Sequence, residues 1–216
     1  MNFLYIPEAT HPLIHPLLQI NDSNLVELLQ NHPYNGKYFV AIFCRYHHKI
    51  RLLIQKITEQ KLINLSENKI TAIAYFVWKE IAHFLVNFDQ ENLSNMEKES
   101  LYVWLHKFVE DLLNHHQFSD TYLDKQNLPF NLFPLYFYTE IALNLLEPQE
   151  RLILVTQDKF AWGKKQIINY LEAKGEFITE DQIQSIYNQA HQKILKFIPS
   201  DINLIYLNNI KQLAQG

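Results

Sequence analysis

Glycine is nearly absent. The 216 residues hold 4, none close enough to another to shape a phosphate-cradling loop, which excludes a P-loop and a dinucleotide-binding turn. A single cysteine, Cys44, leaves no disulfide within the chain, and its neighbours Ile42, Phe43 and Tyr46 mark it as a small core residue. The longest apolar stretch, around Ile73 to Trp78, is too short to cross a bilayer. Met1 to Glu8 carries neither a basic leader nor a small-residue cleavage site, so the expected compartment is the cytoplasm, with no membrane partner. Positive charge is short too: 19 Lys and Arg against 23 Asp and Glu leave a net charge of −4, so only a local basic surface would favour nucleic-acid phosphates. No long stretch alternates apolar and polar residues, and no sheet is expected.

Chemistry-bearing constellations are missing as well. No Ser-His-Asp spacing, paired cysteine or Gly-rich loop supplies a nucleophile, so no enzyme activity and no cofactor are expected. His11 and His15 have the spacing of a metal pair, but Pro12 and Pro16 disfavour the helix that would align them. His47-His48 and His115-His116 are adjacent and point to different helix sides, so no metal site is expected.

What the chain has is helical periodicity. Asp22-Ser23 opens a short helix through Leu25, Leu28 and Leu29 that stops near Pro33 to Gly36. Tyr38, Phe39, Ile42, Phe43, Tyr46, Ile50, Leu53 and Ile57 mark the buried side of a second, longer helix. Ser66 or Asn68 caps a third through Ile73, Phe76, Val77, Ile81, Phe84 and Leu85. After a polar loop (90–97), a fourth carries Leu101, Trp104, Leu105, Phe108, Val109 and Leu112. Residues 117–127 form a polar linker before the Pro-punctuated stretch Leu128 to Pro134. A helix through Ile141, Leu143 and Leu146 follows, then one starting at Pro148 with Leu152, Ile153 and Val155 inward. The last helix opens at Pro199-Ser200-Asp201, with Ile202, Ile205 and Tyr206.

Between these lies the most informative pattern. Ile167, Ile168 and Leu171 make one amphipathic segment. Beyond Gly175, Ile183, Ile186, Tyr187, Ala190 and Ile194 make the next. Gly175 suits the end of the first helix, and Thr179 with Gln182 forms a capping-box start for the second. Two helices joined by a tight bend are the core of a helix-turn-helix, although any two packed helices give the same spacing.

In order and spacing these segments resemble the sigma-70 family of bacterial RNA polymerase subunits in its short two-domain form. Leu25 to Ile57 looks like the opening of sigma domain 2. Phe76 to Asp89 and Leu101 to Val109 look like its polymerase-binding and promoter-melting helices. Leu146 to Ile168, with Ile183 to Leu195, looks like sigma domain 4. Trp162, Tyr170-Leu171, Gly175-Glu176 and Asp201-Ile202 are similar to a short, divergent group of such proteins in cyanobacteria. The resemblance implies an all-α fold of two helical domains. A sigma domain 2-like bundle would span 1–118, a linker and the start of a connecting helix 119–140, and a sigma domain 4-like helix-turn-helix unit 141–216.

The function implied is a transcription initiation factor that binds the RNA polymerase core and promoter DNA. Polymerase would be met by Tyr75, Lys79, Glu80 and His83 on the third helix. DNA would be met by Gln184, Ser185, Asn188 and Gln192, whose amide and hydroxyl groups suit base edges, with Lys164 and Lys165 on phosphates and Trp104 stacking on an unpaired base. A solvated helix face explains the same polar row, ordinary surface lysines the same charges, and a core or boundary tryptophan the same Trp104. Departures from the family point to an alternative. Ala72, Tyr75 and Phe76 stand where the family carries an acidic residue and a Gln-Glu pair. The melting helix runs on into Glu110-Asp111, and the recognition helix opens with Glu180-Asp181. The alternative is a sigma-derived interaction module that has lost promoter melting and binds polymerase, an anti-sigma-type protein or another regulator.

Overall fold

Asn21 starts the first α-helix. Its side chain accepts a hydrogen bond from the Asn24 N–H at 2.9 Å and caps α1 (Asp22–Asn31). Asp22 is thereby free for longer-range work: it pairs with Arg45, accepts from the Tyr46 hydroxyl at 2.6 Å and from the Leu101 N–H at 3.2 Å. One carboxylate so ties the first helix to α2 (Lys37–Gln60) and to α4 (Leu101–His115). Between those two comes α3 (Glu67–Val86), capped by Ser66, one of the two residues expected to do so. The computed structural model describes residues 6–60, 65–87, 100–116, 118 and 129–207. Among these the fold is all-α, with no strand. The expected loop 90–97 lies outside the described residues, as does the linker 117–127 apart from Phe118.

Two 3-10 turns, Pro7–Thr10 and His15–Gln19, precede α1. After the linker, a 3-10 turn (Phe130–Leu132) leads into α5 (Phe133–Asn144). Next come α6 (Pro148–Asp158), α7 (Lys164–Glu172) and α8 (Glu180–Phe197). A short helical turn, α9 (Ser200–Ile202), widens into a π-helical turn over Asn203–Leu207.

The main core forms around α2, whose Phe39, Val40, Ile42, Phe43, Ile50 and Ile54 are fully or almost fully buried. Trp78 of α3 and Leu105 and Val109 of α4 close it on one side. The packing follows a different line from the boundaries expected near 118 and 141. Phe133, Tyr138 and Ala142 of α5, and Ile198, Ile202, Ile205 and Tyr206 at the far end, belong to this same core. Among the described residues, two small clusters form beside it, Ile153 with Ile167, Leu171 and Ile183, and Leu146 with Leu154 and Ala190. Half-buried Ile194 packs against both the second of these and the main core.

The closure of the main core is carried by Asp201. Its buried carboxylate accepts from the Gly36 N–H at 3.2 Å and the Lys37 N–H at 2.9 Å. The start of α2 is therefore capped by a residue far along the chain rather than by a neighbour. A side chain at Gly36 would overlap Ile202 and approach Tyr138 Cε2 at 2.9 Å, so the close contact requires glycine.

Candidate nucleic-acid interface

Helices α7 and α8 take the expected bent arrangement. The α7 C-terminus turns through Gly175, whose φ of +83° lies in the left-handed region that glycine adopts without strain. Thr179 Oγ1 accepts from the Gln182 N–H at 3.3 Å and Gln182 Oε1 from the Thr179 N–H at 2.8 Å, the reciprocal cap read from the sequence. Ile183 and Ala190 are buried on the inner side of α8. Tyr187 donates its hydroxyl to Asp158 at 2.7 Å, His191 lies 3.3 Å from the same carboxylate, and Lys193 bonds Glu150 Oε1 at 2.6 Å. These bonds bind α8 to α6 along its inner edge.

The opposite edge is open. Ser185, Asn188 and Gln192 are exposed and Gln184 is half-buried, and their spacing of three and four residues puts them on one face. Gln184 Nε2 donates to Asn188 Oδ1 at 3.1 Å, and Gln189 Nε2 to Ser185 Oγ at 3.4 Å. The polar row expected to meet DNA is thus assembled as one surface.

Charge around the row is mixed. Lys193 is committed to Glu150, and the Lys174 ammonium sits 5.9 Å from the Tyr170 ring centroid. Lys164 and Lys165, by contrast, occupy the first turn of α7 and make no ion pair among the described residues. Two cations at the positive end of a helix oppose its dipole, at a cost of roughly 0.3–1 kcal/mol each. With the unsatisfied N–H groups of that turn they make a place where an anion is stabilised. Glu180 and Asp181 do the reverse on α8, favouring its dipole and repelling phosphate.

The structure separates the remaining candidates from this surface. Trp104 is half-buried and packed against the main core, with the Lys107 ammonium 5.7 Å from its ring centroid. Glu110 and Asp111, further along α4, are exposed. Tyr75 requires a correction: it is buried, its ring 5.2 Å from Phe133, 5.9 Å from Phe130 and 6.4 Å from Tyr136. One turn on, Lys79 pairs with Glu140 of α5, and His83, though exposed, lies 6.1 Å from Phe137. Within the stripe of α3 expected to meet polymerase, α5 and the turn before it therefore bury Tyr75 and flank Lys79 and His83. Glu80 is half-buried.

Compared with known proteins, the chain matches no protein-family model, no curated protein and no solved structure. No group of three or more His, Cys, Asp or Glu side chains among the described residues could hold a metal ion, and none of their helices is long and apolar enough to cross a membrane. An open groove of about 650 Å³ beside α7 is lined by Leu152, Tyr170 and Leu171 together with Glu147, Lys174 and Glu176.

The buried carboxyl of Glu8 went unnoticed in the sequence. Burial raises the Glu8 carboxyl above its ordinary 4.5, opposed by hydrogen bonds from its own backbone and from Asn131. Burial, with the Glu8 charge, pushes the Cys44 thiol up to about 12, which makes it a poor nucleophile. Burial also raises the Tyr206 hydroxyl, reinforced by Glu8, Cys44, Tyr138 and Tyr75.

Proposed function

We propose that this chain is a sigma-like transcription factor that binds duplex DNA through α8 and acts on initiation in company with RNA polymerase. The observation that carries the reading is the bent α7–α8 pair, with its core contacts on one side of α8 and the row Gln184, Ser185, Asn188 and Gln192 on the other. Lys164 and Lys165 supply the phosphate contacts, which position a protein on the duplex, and the polar row supplies base contacts, which specify sequence.

The second reading, an interaction module without promoter melting, gains from α4. Strand separation needs an exposed aromatic platform and a basic track for the released strand. Trp104 is half-buried, and exposed Glu110 and Asp111 repel phosphate. The two readings combine into a factor that recognises duplex DNA and contacts polymerase without opening the helix.

Fluorescence anisotropy with a labelled randomised duplex pool, with and without purified polymerase core, tests this. Binding that weakens steeply between about 50 and 200 mM salt is expected, with no gain for single-stranded or pre-melted DNA. No binding at the lower salt, with polymerase added, would remove the DNA reading. Core capture by the tagged chain without DNA would then leave the interaction module alone.

A further inference from the structure

On the open face of α8 the carboxamide of Asn188 is oriented by a neighbour. Gln184 Nε2–H donates to Asn188 Oδ1 at 3.1 Å, one turn along the same face. A carboxamide oxygen has two lone pairs, so Asn188 keeps one acceptor site and both its N–H donors for a ligand. Gln192, further along the face, makes no such bond among the described residues. We propose that Asn188 reads an adenine in the major groove, with Gln184 as the residue that positions its carboxamide. This rests on the duplex-binding reading above.

The match follows from the base edges. In the major groove adenine shows an acceptor, N7, beside a donor, the N6 amino group. Asn188 offers the complement: its N–H donates to N7 and its free lone pair accepts from N6. Guanine shows acceptors at both N7 and O6, so Oδ1 would face O6 with no proton between them. Cytosine offers only its amino donor, and thymine an acceptor beside a methyl group. Holding the carboxamide beforehand lowers the ordering cost of contact and disfavours the flipped orientation that would turn two donors towards guanine. Position also fits. Asn188 lies in the third turn of α8, in the N-terminal half, and it is the N-terminal residues of a recognition helix that reach base edges.

The test is selection from a randomised duplex pool with the full chain, followed by anisotropy titration of the enriched duplex. One position should require adenine. Replacing that base by 7-deazaadenine, which still pairs but lacks N7, should weaken binding about 5- to 150-fold, as should guanine there. Asn188→Ala should bind the adenine and 7-deazaadenine duplexes equally. Gln184→Leu should lose much of the discrimination between the adenine and 7-deazaadenine duplexes, whatever it does to overall affinity, and Gln184→Lys, which still donates to Oδ1, should restore that ratio. A merely structural role for Gln184 would not move that ratio. Duplex binding without an adenine requirement, or wild-type binding indifferent to 7-deazaadenine, would overturn the assignment and leave duplex binding standing. No duplex binding at all would overturn both.

Discussion

Asp201→Ala should cost far more stability than a helix cap normally does. An exposed local cap such as Asn21 is worth about 1 kcal/mol. Asp201 serves two N–H groups at the start of α2, and Gly36, the first of them, is buried. A buried donor left without its acceptor costs about 1–3 kcal/mol. Half-buried Lys37 recovers some hydration and loses roughly the value of an ordinary cap, about 0.5–2 kcal/mol. The sum is about 1.5–5 kcal/mol, a large share of the roughly 5–15 kcal/mol that holds a domain folded. Asp201→Asn keeps one acceptor and should lose about half as much. Urea unfolding near neutral pH, followed by circular dichroism, measures both, with an unchanged denaturant slope showing that only stability moved. An Asp201→Ala loss below about 0.5 kcal/mol, the range of a neutral surface change, would refute the long-range cap.

Gly36→Ala should destabilise by about 1–3 kcal/mol through overlap with Ile202, and Ile202→Ala in the same chain should recover part of the loss, as a double-mutant cycle would show. Glu8 holds its proton more tightly folded than unfolded, so its contribution is present below its ordinary 4.5 and is lost as pH rises through the raised folded value. Glu8→Gln should therefore be increasingly more stable than wild type as pH rises across that window, in unfolding curves taken from acid to neutral, and a constant gap would contradict the burial argument. Lys164→Ala with Lys165→Ala should weaken duplex binding alike for all sequences and flatten the logarithmic salt dependence by about 2, with an unchanged slope counting against phosphate contact.

Where sequence was enough, one residue's neighbours decided its structure. Ser66, Thr179 and Gln182 are caps acting within three residues, and the inward faces of α2, α3 and α8 follow from period alone. The start of α5 was placed only somewhere within 119–140, because the run from Leu132 to Tyr138 is apolar on nearly every side and no stripe marks a helix. Tyr75 was placed on a surface by resemblance, although Ile73 to Trp78, apolar throughout, already hinted at burial on several faces. The Asp201 cap joins residues 165 positions apart, and no local pattern encodes such a bond. On the candidate DNA face, spacing gave the row, but only coordinates show that Gln184 holds Asn188.

The cover over Tyr75 limits how polymerase could be met through that side chain. Lifting α5 would expose Phe133 and Tyr138, now 2% and 7% accessible, at about 1.5–3 kcal/mol each, with Ala142 adding a little. A total near 4–7 kcal/mol, an upper estimate, would weaken any partner that needs the uncovered face by about 10³- to 10⁵-fold relative to an open chain. Nor does α5 leave alone, because Tyr138 lies beside the Gly36–Ile202 contact that Asp201 secures. Loosening that anchor should therefore make opening easier. If polymerase uses the Tyr75, Lys79 and His83 face, Asp201→Ala should bind the core more tightly than wild type despite its lower stability. If the contacts lie on surface already exposed, the substitution should leave affinity unchanged or weaken it, and the α3 stripe would then be core packing alone.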